Sequence, residues 1–206
     1  MTTQARIRSG LGAAGAGSPG MVDPLLDEVI VAGGSRYRVA WFDPPFLPPL
    51  ERTTQALGIC VTAERQIVLV TWNGTDWSLP GGTIEPGETL EQTLAREVQE
   101  EACARVAGSS YIGCQRVDEL QGGGAYYQAR FWARVELDRF RAEHEMTARR
   151  LVSPEDFRAA LYWGGEATAG LILERGLAIE GRAASGATAG LSDGAPGGAH
   201  NESLTR

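Results

Sequence analysis

Histidine is nearly absent from this chain: His144 and His200 are the only two in 206 residues, so a zinc centre built on histidines is not expected. Cysteine is scarce as well. Cys60, Cys103 and Cys114 form an odd set without metal-type spacing, which reads as reduced thiols and not as a disulfide framework. No apolar run approaches the ~20 residues that span a bilayer. The opening stretch "LGAAGAGSPG" holds too much glycine for the apolar core of a secretory leader. No membrane partner is expected, and the cytoplasm is the expected compartment. Positive charge is also in deficit. A formal charge of −7 argues against broad binding to nucleic acid. It leaves a nucleotide acceptable as a ligand, because a bound cation inverts the field around clustered carboxylates.

Large apolar residues are sparse at both ends. Residues 1–20 are dominated by Gly, Ala and Ser and are expected to form a disordered tail, and after Gly181 only Leu191 and Leu204 are large and apolar, so 181–206 should form a second one. Residues 21–35 are a poorly defined lead-in in which "DPLLDEVIVAGG" holds a short helix or strand. The folded domain is expected over 36–180, and no internal repeat divides it.

Within that span the pattern is β-rich. Tyr37–Phe42 reads as a strand, and "ALGICVT" with "QIVLVTW" reads as a hairpin. "ARVAGSSYIGCQRVDEL" reads as one or two strands broken at Gly108, "AYYQARFWARVEL" as one long strand and "MTARRLVS" as another. Ser153 is placed to cap a helix beginning at Pro154, and a last helix is expected over Glu166–Ile179.

The chemistry concentrates in "GTIEPGETLEQTLAREVQEEA". Thr89 and Gln92 read as a capping box that starts a helix near Leu90. Leu94, Val98 and Ala102 recur at steps of four and form an apolar stripe. Glu97, Glu100 and Glu101 then share an arc of about 100° beside that stripe. Like charges at these spacings repel by a few tenths of a kcal/mol per pair, and a cation would relieve them. Oxygen-only ligands suit a hard ion, Mg²⁺ or alternatively Mn²⁺.

Gly82, Glu88, Arg96-Glu97, Val98 and Glu100-Glu101 stand at the spacings of the signature box of the Nudix (MutT-like) hydrolases, and the chain resembles that family. Two positions depart: Cys103 stands where the family prefers glycine, and Ala104 where it prefers a larger aliphatic. Because glycine there permits a left-handed turn, a cysteine should make the helix end differently or run one residue longer. Cys103 itself is expected to be buried and structural.

The resemblance implies an α/β (α+β) fold in which a mixed β-sheet is sandwiched between α-helices. It implies a pyrophosphohydrolase of the acid-anhydride class, Mg²⁺- or Mn²⁺-dependent, in which water cleaves the pyrophosphate linkage of a nucleoside diphosphate joined to another moiety. Glu97, Glu100, Glu101 and the carbonyl of Gly81 match the metal ligands. Arg96 is expected to pair with a carboxylate, Glu88 being the first choice, and so fix the loop that contains Gly82. Glu145 is the candidate for a metal ligand or general base from outside the box, with Glu143 and Glu119 as rivals, and Glu100 is the alternative base within the helix.

Two other readings stay open. One is a catalytically silent Nudix-like module that binds a nucleotide. The other is an RNA 5′-end pyrophosphohydrolase, which needs a basic surface such as one built from Arg130, Arg134, Arg149 and Arg150. Trp72, Trp77, Tyr126, Tyr127, Phe131 and Trp132 are candidates to stack a base. The box reads a diphosphate and not what is attached to it, so the substrate is not specified, and a homodimer is left open.

Overall fold

A computed structural model describes residues 5–7, 23–162 and 166–189. Among the described residues nine strands form one mixed sheet in the order β1-β2-β3-β7-β8-β4-β5-β9, with β6 paired to β4 off this path. The strands are β1 (Ala5–Ile7), β2 (Leu26–Ala32), β3 (Ser35–Phe42), β4 (Thr53–Val61), β5 (Ile67–Thr71), β6 (Gly81–Thr83), β7 (Ala104–Glu119), β8 (Ala125–Leu137) and β9 (Ala148–Val152). Helices α1 (Leu90–Ala102), α2 (Phe157–Ala160) and α3 (Glu166–Ala189) complete the fold. The central pair β4–β8 is parallel, and the other pairings are antiparallel.

Alternation along the strands sorts side chains into two cores. In β4, Ala56 and Cys60 face α1 and pack with Leu94, Val98 and Ala102. Ile59 and Val61 face the other way, where Phe157 of α2 and Ile172 of α3 cover them with Trp41 and Trp132. The expected sheet between helices is therefore present. The apolar stripe of α1 is fully buried, and helix formation is supported at its start by the Thr89–Gln92 capping box.

Several boundaries differ from expectation. Ala5–Ile7 lie in a segment expected to lack structure, yet they pair with β2; the rest of 1–22 lies outside the described residues. The ill-defined lead-in is the strand β2, which forms a hairpin with β3 and extends the sheet beyond β7. Helix α3 continues past the expected end to Ala189, and 190–206 lie outside the described residues. Side-chain contacts explain why the strand and helix belong to the fold: Thr168 donates through its hydroxyl to Glu28 of β2, and Arg175 donates to Asp43 at 2.7 and 2.9 Å. Strand β7 is continuous through Gly108 because bulges after Val106 and Tyr111 absorb the irregularity. Ser153 accepts the N–H of Asp156 within a turn, so α2 begins later, without a side-chain cap. No helix among the described residues is long and apolar enough to cross a membrane.

Candidate active site

The loop before α1 is folded against the helix by one guanidinium. Arg96 donates to both oxygens of Glu88 at 2.8 and 3.1 Å and to the carbonyl of Thr83 at 2.9 Å. Glu88 also accepts from the Thr93 hydroxyl at 2.7 Å and the Glu85 N–H at 3.1 Å. The Arg96 hydrogen bonds, and then that of Thr93, hold the Glu88 carboxyl well below its usual range, at about 2. A bidentate pair of this kind sets geometry as well as energy. The expected Arg96–Glu88 link is thus the clamp between loop and helix.

The same guanidinium reaches the acidic face of α1, donating to Glu97 at 2.9 Å and to Glu100 at 3.2 Å. Glu101 points towards the loop and accepts the Gly81 N–H at 2.9 Å. It is only 7% exposed. Burial, helped by the charges of Glu97, Glu145 and Glu100, pushes its carboxyl up to about 8 against that hydrogen bond. Burial also raises Glu97, opposed by Arg96.

The loop glycines are required by close approach. A Cβ on Gly82 would sit 2.6 Å from Cδ of Glu97, and one on Gly81 would sit 2.5 Å from Cα of Leu57. Gly81 also has φ +140°, a conformation open chiefly to glycine.

Helix α1 ends at Ala102, and Cys103 adopts the left-handed conformation that the missing glycine would have taken, with φ 46° and ψ 55°. The expectation that the helix would end differently is corrected. Non-glycine residues pay on the order of 1 kcal/mol for this conformation, and local bonds offset it. Arg149 donates to the carbonyls of Ala102 and Cys103 at 2.5 and 3.1 Å, satisfying the helix end. The Cys103 thiol lies 3.4 Å from both the N and the O of Arg141. It is partly exposed and not buried as expected, because it faces that loop instead of the core.

The loop pinned by Cys103 leads to Glu145. Glu97, Glu100, Glu101, Gly81 and Gly82 line a cavity of ≈ 850 Å³, and Glu145 lines the same cavity. Glu143 lies instead on a second, smaller depression and pairs with Arg141 at 3.7 Å, while Glu119 lines neither. Geometry therefore brings Glu145 to the box carboxylates and leaves both rivals away.

A metal's fit is decided by the donor chemistry. Five carboxylates on one cavity, Glu85 with Glu97, Glu100, Glu101 and Glu145, and Arg96 already shared among three carboxylates, leave an excess of anionic oxygen suited to a hard cation. Among the described residues no three His, Cys, Asp or Glu side chains already converge as a cage. Glu97 and Glu100 are turned to Arg96 and Glu101 to Gly81, so ligation requires side-chain rotation.

The aromatic candidates separate. Trp72 and Tyr126 line the cavity. Phe131 and Trp132 belong to the two cores, Tyr127 packs on Phe42 and Phe46, and Trp77 stacks under Arg150. The four arginines proposed as a basic surface do not form one: Arg130 is buried, Arg134 pairs with Glu180, Arg149 caps α1 and Arg150 lies over Trp77. The pattern reading missed Gln55, Gln115, Gln128 and Arg130 as cavity-lining groups. Their signal was a polar residue at inward positions of otherwise apolar strands.

The family model described as NUDIX domain matches residues 52–171, and the chain belongs to this family. A curated protein of Bacillus subtilis (strain 168), named "Putative 8-oxo-dGTP diphosphatase", is 36% identical over 70 residues, covering 34% of this chain and 47% of that protein. That alignment spans about half of the relative's length. Among solved structures, the Bacillus subtilis pyrophosphohydrolase BsRppH superposes with a TM-score of 0.55 at 21% identity, over 72% of this chain and 93% of the other. This likeness concerns the fold.

Proposed function

We propose that this protein is a metal-dependent pyrophosphohydrolase that cleaves the diphosphate linkage of a nucleoside diphosphate derivative. The observation that carries this reading is the convergence of Glu97, Glu100 and Glu101 from α1 with Glu145 from a distant loop on one cavity. Family membership supports it.

Glu97, Glu100, Glu101 and the Gly81 carbonyl would hold Mg²⁺ or Mn²⁺, with Arg96 steadying the helix face against the loop. When bound, such an ion neutralises phosphate oxygens and lowers the pKa of water. Glu145 accepts the proton of the attacking water, and Glu100 is the alternative base. Gly81 and Gly82 let the loop backbone approach Leu57 and Glu97 closely, which holds the loop against the box helix. Water attacks one phosphorus, and the bond from that phosphorus to the bridging oxygen breaks, so the two phosphate-bearing products separate.

A screen of nucleoside diphosphate derivatives, with Mg²⁺, with Mn²⁺ and with chelator, tests this. Metal-restored release of two phosphate-bearing products is the expected result. Binding without turnover under every metal condition would assign a nucleotide-binding module instead.

A further inference from the structure

The cavity carries a buried positive charge that no group among the described residues answers. Cross-strand register aligns Gln55 of β4 with Gln128 of β8 and Gln128 with Gln115 of β7. Arg130 lies two residues beyond Gln128, on the same sheet face, and all four side chains line the cavity. Arg130 is 2% and Gln115 0% exposed. The guanidinium donates to the side-chain carbonyl of Gln128 at 2.7 Å and to the backbone carbonyl of Ala129 at 3.5 Å. Its Nε and both amide atoms of Gln115 have no hydrogen-bond partner. Gln128 is itself held, donating to Gln55 at 2.6 Å.

Charge sets this cluster apart from an ordinary polar floor. Both acceptors that Arg130 reaches are neutral. Its ionisable neighbours are the Cys114 thiol and the Tyr126 phenol, and no carboxylate is among them. Burial raises both, the thiol to about 11, so each is protonated at neutral pH and supplies no counter-charge. Burial lowers Arg130 to about 9, which still leaves it a cation. The carboxylates of α1 are committed elsewhere, Glu97 and Glu100 to Arg96 and Glu101 to Gly81. A buried ion without a counter-ion is among the most costly groups a fold can keep.

A neutral ligand edge could pair the three free atoms, but it would leave the charge uncompensated. An oxyanion compensates the charge and accepts from both the Arg130 Nε–H and the Gln115 amide N–H. A hydroxyl beside that oxyanion donates to the Gln115 oxygen, so all three atoms are answered. Position agrees: Gly81, Leu57 and Arg130 are in register across β6, β4 and β8. Two strand spacings put the backbone of Arg130 about 10 Å from the glycine loop. A diphosphate at that loop with one sugar ring attached covers a distance of this order.

We infer that Arg130 and Gln115, braced by Gln128 and Gln55, form an anion subsite, and that the substrate carries, besides its diphosphate, a carboxylate or phosphate monoester next to a hydroxyl on the attached sugar. This rests on the proposed hydrolysis of a nucleoside diphosphate derivative and adds the charge of the group that such a substrate bears.

Two independent readouts test it. The first is thermal shift with Mg²⁺, using probes that contain no diphosphate linkage and so need no turnover. Glucuronate 1-phosphate is compared with glucose 1-phosphate, and adenosine 3′,5′-bisphosphate with AMP; within each pair only the second anionic group differs. The acidic member of at least one pair is expected to raise the melting temperature well above its neutral counterpart. Selectivity in the first pair assigns a carboxylate, and in the second a phosphate monoester. The second readout is kcat/KM for UDP-glucuronate against UDP-glucose, and for coenzyme A against dephospho-coenzyme A, with wild type, Arg130→Met and Gln115→Leu. In the pair that is discriminated, each substitution should lower the acidic-to-neutral ratio by roughly 10- to 100-fold, the scale of losing a hydrogen bond to a charged group. A purely structural role would lower both members alike and leave the ratio unchanged. Arg130→Met should still fold, because replacing a buried unpaired charge with an apolar side chain is often stabilising. Equal shifts within both pairs, or ratios unchanged in both variants, would overturn the inference while leaving the hydrolase reading intact. Selective shifts without cleavage of any diphosphate would retain the subsite and defeat the hydrolase reading alone.

Discussion

Replacing the two loop glycines one at a time should separate catalysis from folding. Gly82 is in β6 with an ordinary backbone, so alanine is conformationally acceptable there. Its Cβ, however, would lie 2.6 Å from Cδ and 2.8 Å from Oε2 of Glu97, against ordinary contacts that begin at 3.4 Å. The Oε1 atom, which lies nearer still, must retreat by about 1 Å, taking its Arg96 bond with it; a misplacement of that size can cost ~100-fold in turnover. Because the obstacle is the far end of a flexible side chain, Gly82→Ala should change stability by under about 1 kcal/mol.

Gly81→Ala meets backbone instead, Cα of Leu57 at 2.5 Å and the carbonyl of Ala56, and has φ +140°. Strand β4 cannot retreat, since it is paired on its other side to β8. A loss of about 2–4 kcal/mol follows from overpacking and backbone strain, which lowers the melting temperature by roughly 5–15 °C. Calorimetry and steady-state rates with the best substrate measure both. Gly82→Ala at the wild-type rate, or Gly81→Ala at the wild-type melting temperature, would refute the geometry.

Metal-free stability should fall as pH rises from about 4.5 towards 8, because Glu101 is held near 8 in the folded state and the unfolded chain releases that proton first. Glu101→Gln should flatten this slope in a pH series of melting curves while slowing turnover by several orders of magnitude. Glu88 has the opposite sign: its carboxyl is held at about 2, so its contribution is present above about 4.5 and is lost as pH falls towards 2. Arg96→Met should remove that acid-side dependence, read from acid titration monitored by circular dichroism. Glu145→Gln should lower turnover at least ~100-fold, the scale of losing a general base, whereas Glu143→Gln should stay near the wild-type rate; equal rates for both would move the base to Glu100.

What the sequence determined by itself is local. The box helix, its Thr89 cap and the shared face of Glu97, Glu100 and Glu101 depend on contacts within four residues, so helical periodicity and side-chain chemistry suffice. The Arg96–Glu88 clamp was legible for the same reason, lying within one loop and its helix. Only tertiary structure decided which distant groups meet them. Glu145 reaches the cavity because β9 pairs with β5 and because Cys103 and Arg149 tether the preceding loop to the end of α1. Gln115 and Arg130 face that cavity through registers joining β7 to β8 and β8 to β4, and a slip of one residue would turn them to the opposite core. Strand alternation alone tells that two faces exist. Which face holds the site is set by the long-range pairing that packs α1 on one side and α3 on the other.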